Sequence, residues 1–257
     1  MKKILLCLLM LSIMQCPIMA QIANYSALVS GISGSSIMKS YKDVNYRKSI
    51  LNKVKRQAYR LSDEEKNVIT KYVLGAVKGE DSYKLMNANL RGDLNLYLKS
   101  KDITNPLKAR LNFYSNGLGD VISKTRLPEN IVLYYGAENS EMQTLFGKSN
   151  ISEYINKPVS MEYLNAQRAK LVGFEFTEAA FMKATYDKNY VQNTKYRFEI
   201  KAPKNLQAVL IDDFCNRGRK EVLINKGYKW KVMNISKEYD NYNKTNYYNL
   251  TLRLVLN

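Results

Sequence analysis

Apolar residues recur at helical spacing through the first half of the chain and gather into short dense runs through the second. Tyr46, Ile50, Val54 and Ala58 return every four residues with Lys and Arg between them, which predicts a helix. Ser62 and Glu65 form a capping-box pair, in which each side chain can take up a free backbone N–H of the other's turn. Val68, Ile69, Tyr72 and Val73 then make the inward stripe of a second helix, whose end is marked by Gly75 and Gly79. A third helical stretch covers Tyr83 to Arg91. After Pro106, Leu107, Leu111 and Tyr114 predict another, carried past Gly119 by Val121 and Ile122 and broken at Pro128.

The pattern changes at Asn130. Ile131 to Tyr135 form a compact apolar and aromatic strand that ends at Gly136. Residues 137–169 are mixed, with a short helix expected from Met161 to Ala169. Further strands are expected at Val172 to Phe176, Tyr196 to Ile200, Ala208 to Ile211, Glu221 to Ile224, Tyr228 to Ile235 and Tyr247 to Leu256. The polar run Asp240 to Lys244 reads as a hairpin connection. Helices followed by strands predict an α+β fold.

Composition narrows the chemistry. The chain has 257 residues and no His, which excludes a Ser–His–Asp triad, a Cys–His pair and a His metal site. No metal site is expected, and acid–base work falls to carboxylates, Tyr, Lys, Arg or backbone. Lys2 and Lys3, the apolar run Ile4 to Met14 and the small Ala20 read as an export signal over residues 1–20. That run is shorter than the ~20 residues a spanning helix needs, so a secreted protein without stable membrane insertion is expected. Cys7 and Cys16 fall in the signal, leaving Cys215 and no internal disulfide. The net charge of +17 favours anionic partners such as a nucleotide pyrophosphate. The basic residues are spread without an Arg/Lys block, and no nucleic-acid partner is expected.

Several segments, in this order, carry a family likeness: "YKLMNANLRG" (Tyr83 to Gly92), "SKTRLPENIVLYYG" (Ser123 to Gly136), "YRFEIKAPKNLQAVLI" and "GRKEVLINKGYKWKV". From about Tyr46 to Asn257 the chain resembles bacterial mono-ADP-ribosyltransferase exotoxins, most closely the small exoenzymes that modify Rho GTPases. The resemblance implies an N-terminal helical lobe packed on a strand-rich two-sheet core. Residues 21–44 would be a loose mature N-terminus and 45–257 a single domain, helical over 45–127 and β over 128–257. It further implies NAD as substrate, no metal, a monomer, and transfer of ADP-ribose to a host protein, with a small GTPase as one candidate acceptor inside the host cell.

Residue by residue, Glu221 in Arg219–Lys220–Glu221 matches the family's catalytic glutamate, against the alternative of a solvated carboxylate at a strand start. A carboxylate there can bond the ribose 2′-hydroxyl and stabilise an oxocarbenium-like sugar. Arg91 matches the helical Arg that contacts the NAD phosphates, against an exposed helix-end Arg. Asn87, one turn earlier, resembles the neighbouring Asn that could touch the dinucleotide. Three positions depart from the pattern. Tyr135 stands where the family has an NAD-binding Arg, Phe176–Thr177–Glu178 stands for Ser-Thr-Ser with Thr177 retained as pocket brace, and Arg219 stands for Gln or Glu. Arg219 and Phe214 would face the acceptor, and a cationic Arg219 suits an acidic or phosphorylated one. Two other functions stay open: a binding module that no longer turns over NAD, and an NAD glycohydrolase.

Overall fold

Ser62 opens the first described helix through the capping box its spacing predicts. Its Oγ accepts from Glu65 N at 3.2 Å, and Glu65 Oε2 accepts from Ser62 N at 2.8 Å. The structure, a computed structural model, describes residues 61–74, 82–99, 105–147, 156–191, 194–211 and 220–255. The expected helix at Tyr46 to Ala58, the export signal, Cys215, Phe214 and Arg219 lie outside these residues.

Helix α1 spans Asp63–Leu74, with Asp63, Glu64 and Glu65 complementing its positive end. Ile69 and Tyr72 are buried, whereas Val68 is exposed. Helix α2 is Ser82–Leu90 and α4 is Asn105–Ser123, both where the spacing predicts. A short α3, Leu94–Leu98, was not expected. On α4, Leu111, Ser115, Leu118, Val121 and Ile122 are buried while Tyr114 is exposed, so the inward stripe passes one residue beyond Tyr114. These helices share one hydrophobic cluster with Phe181, Val209, Ile211 and Leu223 of the sheet region.

Among the described residues eight strands follow in sequence: β1 Ile131–Gly136, β2 Glu175–Glu178, β3 Met182–Thr185, β4 Tyr196–Ala202, β5 Ala208–Leu210, β6 Glu221–Ile224, β7 Tyr228–Asp240 and β8 Thr245–Leu254. Helices α5 (Asn139–Phe146) and α6 (Met161–Leu171) lie between β1 and β2. β3 and α5 have no counterpart in the sequence expectation. The strand expected from Val172 begins only at Glu175, because the end of α6 claims the residues before it. Val172 N bonds Arg168 O, Gly173 turns at φ 89°, and Phe174 N bonds Leu171 O. Only glycine takes that left-handed turn without steric cost.

The strand order is β2-β7-β8-β4-β1-β3-β6-β5. β4 and β8 run parallel; the other pairs are antiparallel. The expected two sheets are therefore joined into one eight-stranded order, but the join is narrow. β1 pairs β4 along six residues, yet meets β3 only at Tyr134↔Thr185. A five-stranded wing and a three-stranded wing thus part at the C-terminal half of β1. The resulting cleft is where the candidate site lies.

Candidate active site

The site begins at the end of α2. Gly92 N bonds Asn89 O, Asp93 N bonds Ala88 O, and Gly92 takes φ 75°, the pattern that ends a helix with a left-handed glycine. Arg91 is left as the last residue before that turn, its charge at the helix's negative end. Its guanidinium is buried, not exposed: the side chain retains 6% of its accessibility. Arg91 Nε donates to Glu178 Oε1 at 3.0 Å, and Nη2 donates to Glu141 Oε1 at 2.5 Å.

Both carboxylates are built into the backbone around them. Glu141 is the N3 residue of α5 and its Oε2 accepts from Glu138 N at 2.7 Å, closing a capping box. Its Oε1 also accepts from the Tyr135 hydroxyl at 2.6 Å. Glu178 Oε1 accepts from Ala180 N at 2.8 Å. One arginine therefore ties α2 to α5 and β2.

Charges in this cluster perturb one another. Burial disfavours the charged Arg91, but Glu141 and Glu178 outweigh it and hold the guanidinium proton more tightly than usual. Burial pushes Glu178 above the ordinary carboxylate range, with Arg91 opposing and Glu141 adding to the rise. Glu138 is raised by burial and by Glu141. Tyr135 is raised well above its usual value, by burial and then by the charge of Glu141.

Glu221 is the first residue of β6 and is buried, which removes the reading of a solvated strand-start carboxylate. It faces Thr185 across the β3–β6 pair. The preceding Lys220 takes φ 55°, and its ammonium pairs with Asp187 at 2.6 Å and lies 5.1 Å from the centre of the Tyr190 ring. Glu221, Thr185, Tyr190, Tyr135, Asn87 and Glu138 line a cavity of about 40 Å³. A larger cavity of about 670 Å³ has Lys84, Arg91, Glu141, Thr194, Lys195 and Tyr196 in its wall. Tyr83, Asn87, Tyr135 and Glu138 border both, so the two cavities adjoin across these side chains. The larger volume suits a nucleotide-sized ligand; the smaller holds about a water molecule. Among the described residues no group of His, Cys, Asp and Glu could hold a metal ion, and no helix is long and apolar enough to cross a membrane.

The fold that holds Asn87 on α2, and Arg91 just past its end, beside the parting sheet has counterparts in known proteins. The profile of the ADP-ribosyltransferase exoenzyme family matches residues 45–256. The chain belongs to that family. In structure this family member is similar to Plx2a, an ADP-ribosyltransferase toxin from Paenibacillus larvae, with 18% identity over 86% of this chain and 100% of that one and a TM-score of 0.62. The Clostridium limosum C3 exoenzyme matches at 17% identity over 86% and 98%, TM-score 0.62. A protein from S. aureus, solved with NAD, matches at 15% identity over 86% and 100%, TM-score 0.63. At such identities these likenesses establish the ADP-ribosyltransferase fold. No curated protein matches the chain in sequence.

Within this exoenzyme fold the structure brings together Asn87, Arg91, Tyr135 and Glu221, and leaves Thr177 out. Thr177 is exposed on β2 and lines neither cavity, because strand alternation turns Phe176 and Glu178 inward and Thr177 to solvent. Phe176 packs near Phe198, which also neighbours Tyr135. The Asn87 amide is committed within the fold. Its Nδ2 donates to Phe181 O at 3.0 Å, and its Oδ1 accepts from Phe181 N and Tyr72 Oη. Asn87 thus joins α2 to the residue before β3 and borders both cavities. Glu141 and Thr185 went unnoticed in the sequence, and Glu178 was named there only as the last residue of the Phe176–Thr177–Glu178 segment. The Glu138–Glu141 spacing hints at a capping box, but nothing local places either acid beside Arg91.

Proposed function

We propose that this exoenzyme-family chain is a secreted mono-ADP-ribosyltransferase that moves ADP-ribose from NAD to a host protein, with Glu221 as the catalytic carboxylate. The observation that carries the reading is the buried Glu221 at the opening of β6, lining a cavity that shares Tyr135 with the adjoining cavity of Arg91. In the reaction the bond between ribose C1′ and the nicotinamide nitrogen breaks, and its electron pair leaves with nicotinamide, neutralising the pyridinium. A heteroatom of the acceptor bonds C1′ and releases its proton. Glu221 would accept from the ribose 2′-hydroxyl and stabilise the positive sugar. Arg91 would meet the pyrophosphate, and Lys84 and Lys195 add positive charge to the same wall. The small cavity, with the partly exposed Tyr190 in its wall, would have to widen to admit the nicotinamide half.

Residues 1–20 would be the signal, 21–44 a loose mature N-terminus and 45–257 the single catalytic domain. Arg219 and Phe214 would meet the acceptor, for which an acidic or phosphorylated side chain is the better partner of a cationic Arg219; a small GTPase is a first protein to try. The deciding experiment is nicotinamide release from NAD by purified wild type and Glu221→Gln. The expected result is a loss of about a hundredfold or more in the variant. Equal release from both would remove Glu221 from the mechanism.

A binding module without turnover is the second reading, and one observation favours it: Arg91 already has two buried carboxylates as partners. It predicts no nicotinamide release from wild type, with saturable binding to a host protein.

A further inference from the structure

We propose that Glu178 and Glu141 set the dinucleotide affinity of this cleft, by acting as fixed internal counterions with which pyrophosphate oxygens must compete for Arg91. The inference rests on the reading of Arg91 as the residue that meets the pyrophosphate. Three features of the geometry support it. The two carboxylates take the Nε and Nη2 donors of Arg91, including the Nε edge through which a guanidinium commonly grips an oxyanion in paired fashion. Neither carboxylate can swing into water as a surface counterion would, since their side chains are 1% and 3% exposed. Each is also held by a second donor, Glu141 by Glu138 N and the Tyr135 hydroxyl, Glu178 by Ala180 N.

The charge balance points the same way. With both carboxylates ionised, the trio carries one net negative charge, and a pyrophosphate beside Arg91 would meet two acids within the same low-dielectric pocket. Glu138 borders the cleft as well. The positive charge that the sequence places at Arg91 is thus spent inside the fold, and removing the charge of Glu178 should make part of it available to a ligand. Glu178→Gln keeps the shape and an oxygen for Ala180 N and Arg91 while removing one negative charge.

The test is calorimetric titration of ADP-ribose, and separately of inorganic pyrophosphate, into the full mature chain. Glu178→Gln is expected to bind both about tenfold more tightly than wild type, and the gain should vanish when Arg91→Met is added. Folded Glu178→Gln with equal or weaker binding, or with no measurable binding like the wild type, overturns the proposal. If Glu178→Gln does not fold, Glu141→Gln decides by the same criterion. Nicotinamide release separates this inference from the function it rests on. Tighter ADP-ribose binding without release in any variant leaves the counterion role standing and removes the transferase reading. Release by wild type without any gain in Glu178→Gln removes the counterion role alone.

Discussion

Replacing Arg91 by Met would show whether this residue is a surface arginine at a helix end or the keystone of a buried charge cluster. Met retains much of the aliphatic stem and removes the cation, leaving Glu141 and Glu178 buried at 1% and 3% exposure. Loss of one partner of a buried ion pair typically costs about 3–5 kcal/mol, because the remaining charge has no compensation. A surface pair such as Lys66–Asp63, with the Asp almost fully exposed, is worth about 0–1 kcal/mol. The two readings therefore differ by several-fold in the same measurement. Urea unfolding followed by fluorescence suits it, since Trp230 is the chain's one tryptophan and is fully buried. The expected loss at pH 7.5 is about 3–5 kcal/mol.

The pH dependence of that loss has a definite sign. Glu178 already sits above the ordinary carboxylate range through burial, and losing Arg91 removes the influence that opposes the rise. A carboxyl whose folded value exceeds its unfolded value takes up a proton on folding, so its folded form gains stability as pH falls through that interval. The penalty of Arg91→Met should accordingly shrink from pH 7.5 to pH 5. A loss below about 1 kcal/mol at pH 7.5 would match an exposed arginine and refute the keystone. A full loss that stays constant between the two pH values would refute the buried-carboxylate explanation.

Two smaller perturbations probe the site and the fold separately. Thr185 faces Glu221 across the β3–β6 pair and lines the same cavity, so Thr185→Val should lower kcat for nicotinamide release about tenfold, near 1.4 kcal/mol, with KM for NAD unchanged and Thr185→Ser restoring the rate. An unchanged kcat would show that Thr185 does not position the glutamate. Ser62→Ala removes the acceptor for Glu65 N at the start of α1 and should cost about 1 kcal/mol, read as a fall of about 2–4 °C in Tm with cleft binding of ADP-ribose unaffected.

Local signals sufficed for much of the fold. The Ser62–Glu65 pair marks the start of α1, Pro106 and the stripe from Leu111 to Ile122 mark α4, and the dense apolar runs mark β1, β4, β6 and β7. These elements are legible because capping, helical periodicity and strand hydrophobicity act over a few residues. The family likeness, spread through the chain in order, likewise singles out Glu221 and Arg91 as candidates. β3 and α5 escaped because Met182–Thr185 is too short to show alternation and the N-cap of α5 is Glu138, not one of the usual capping residues.

What only the tertiary structure decided is the electrical state of the site. Strand phase on β2 sends Glu178 inward and Thr177 outward, a choice that pairing with β7 makes and that the residue types alone leave undetermined. The capping box of α5 brings Glu141 to Arg91 from fifty residues away. Sequence nominates an arginine and a glutamate for nucleotide chemistry; the packing of α2, α5 and β2 determines that this arginine already has acidic partners. Charge along a chain is a property of residues, whereas the charge a ligand meets depends on which residues burial forces together.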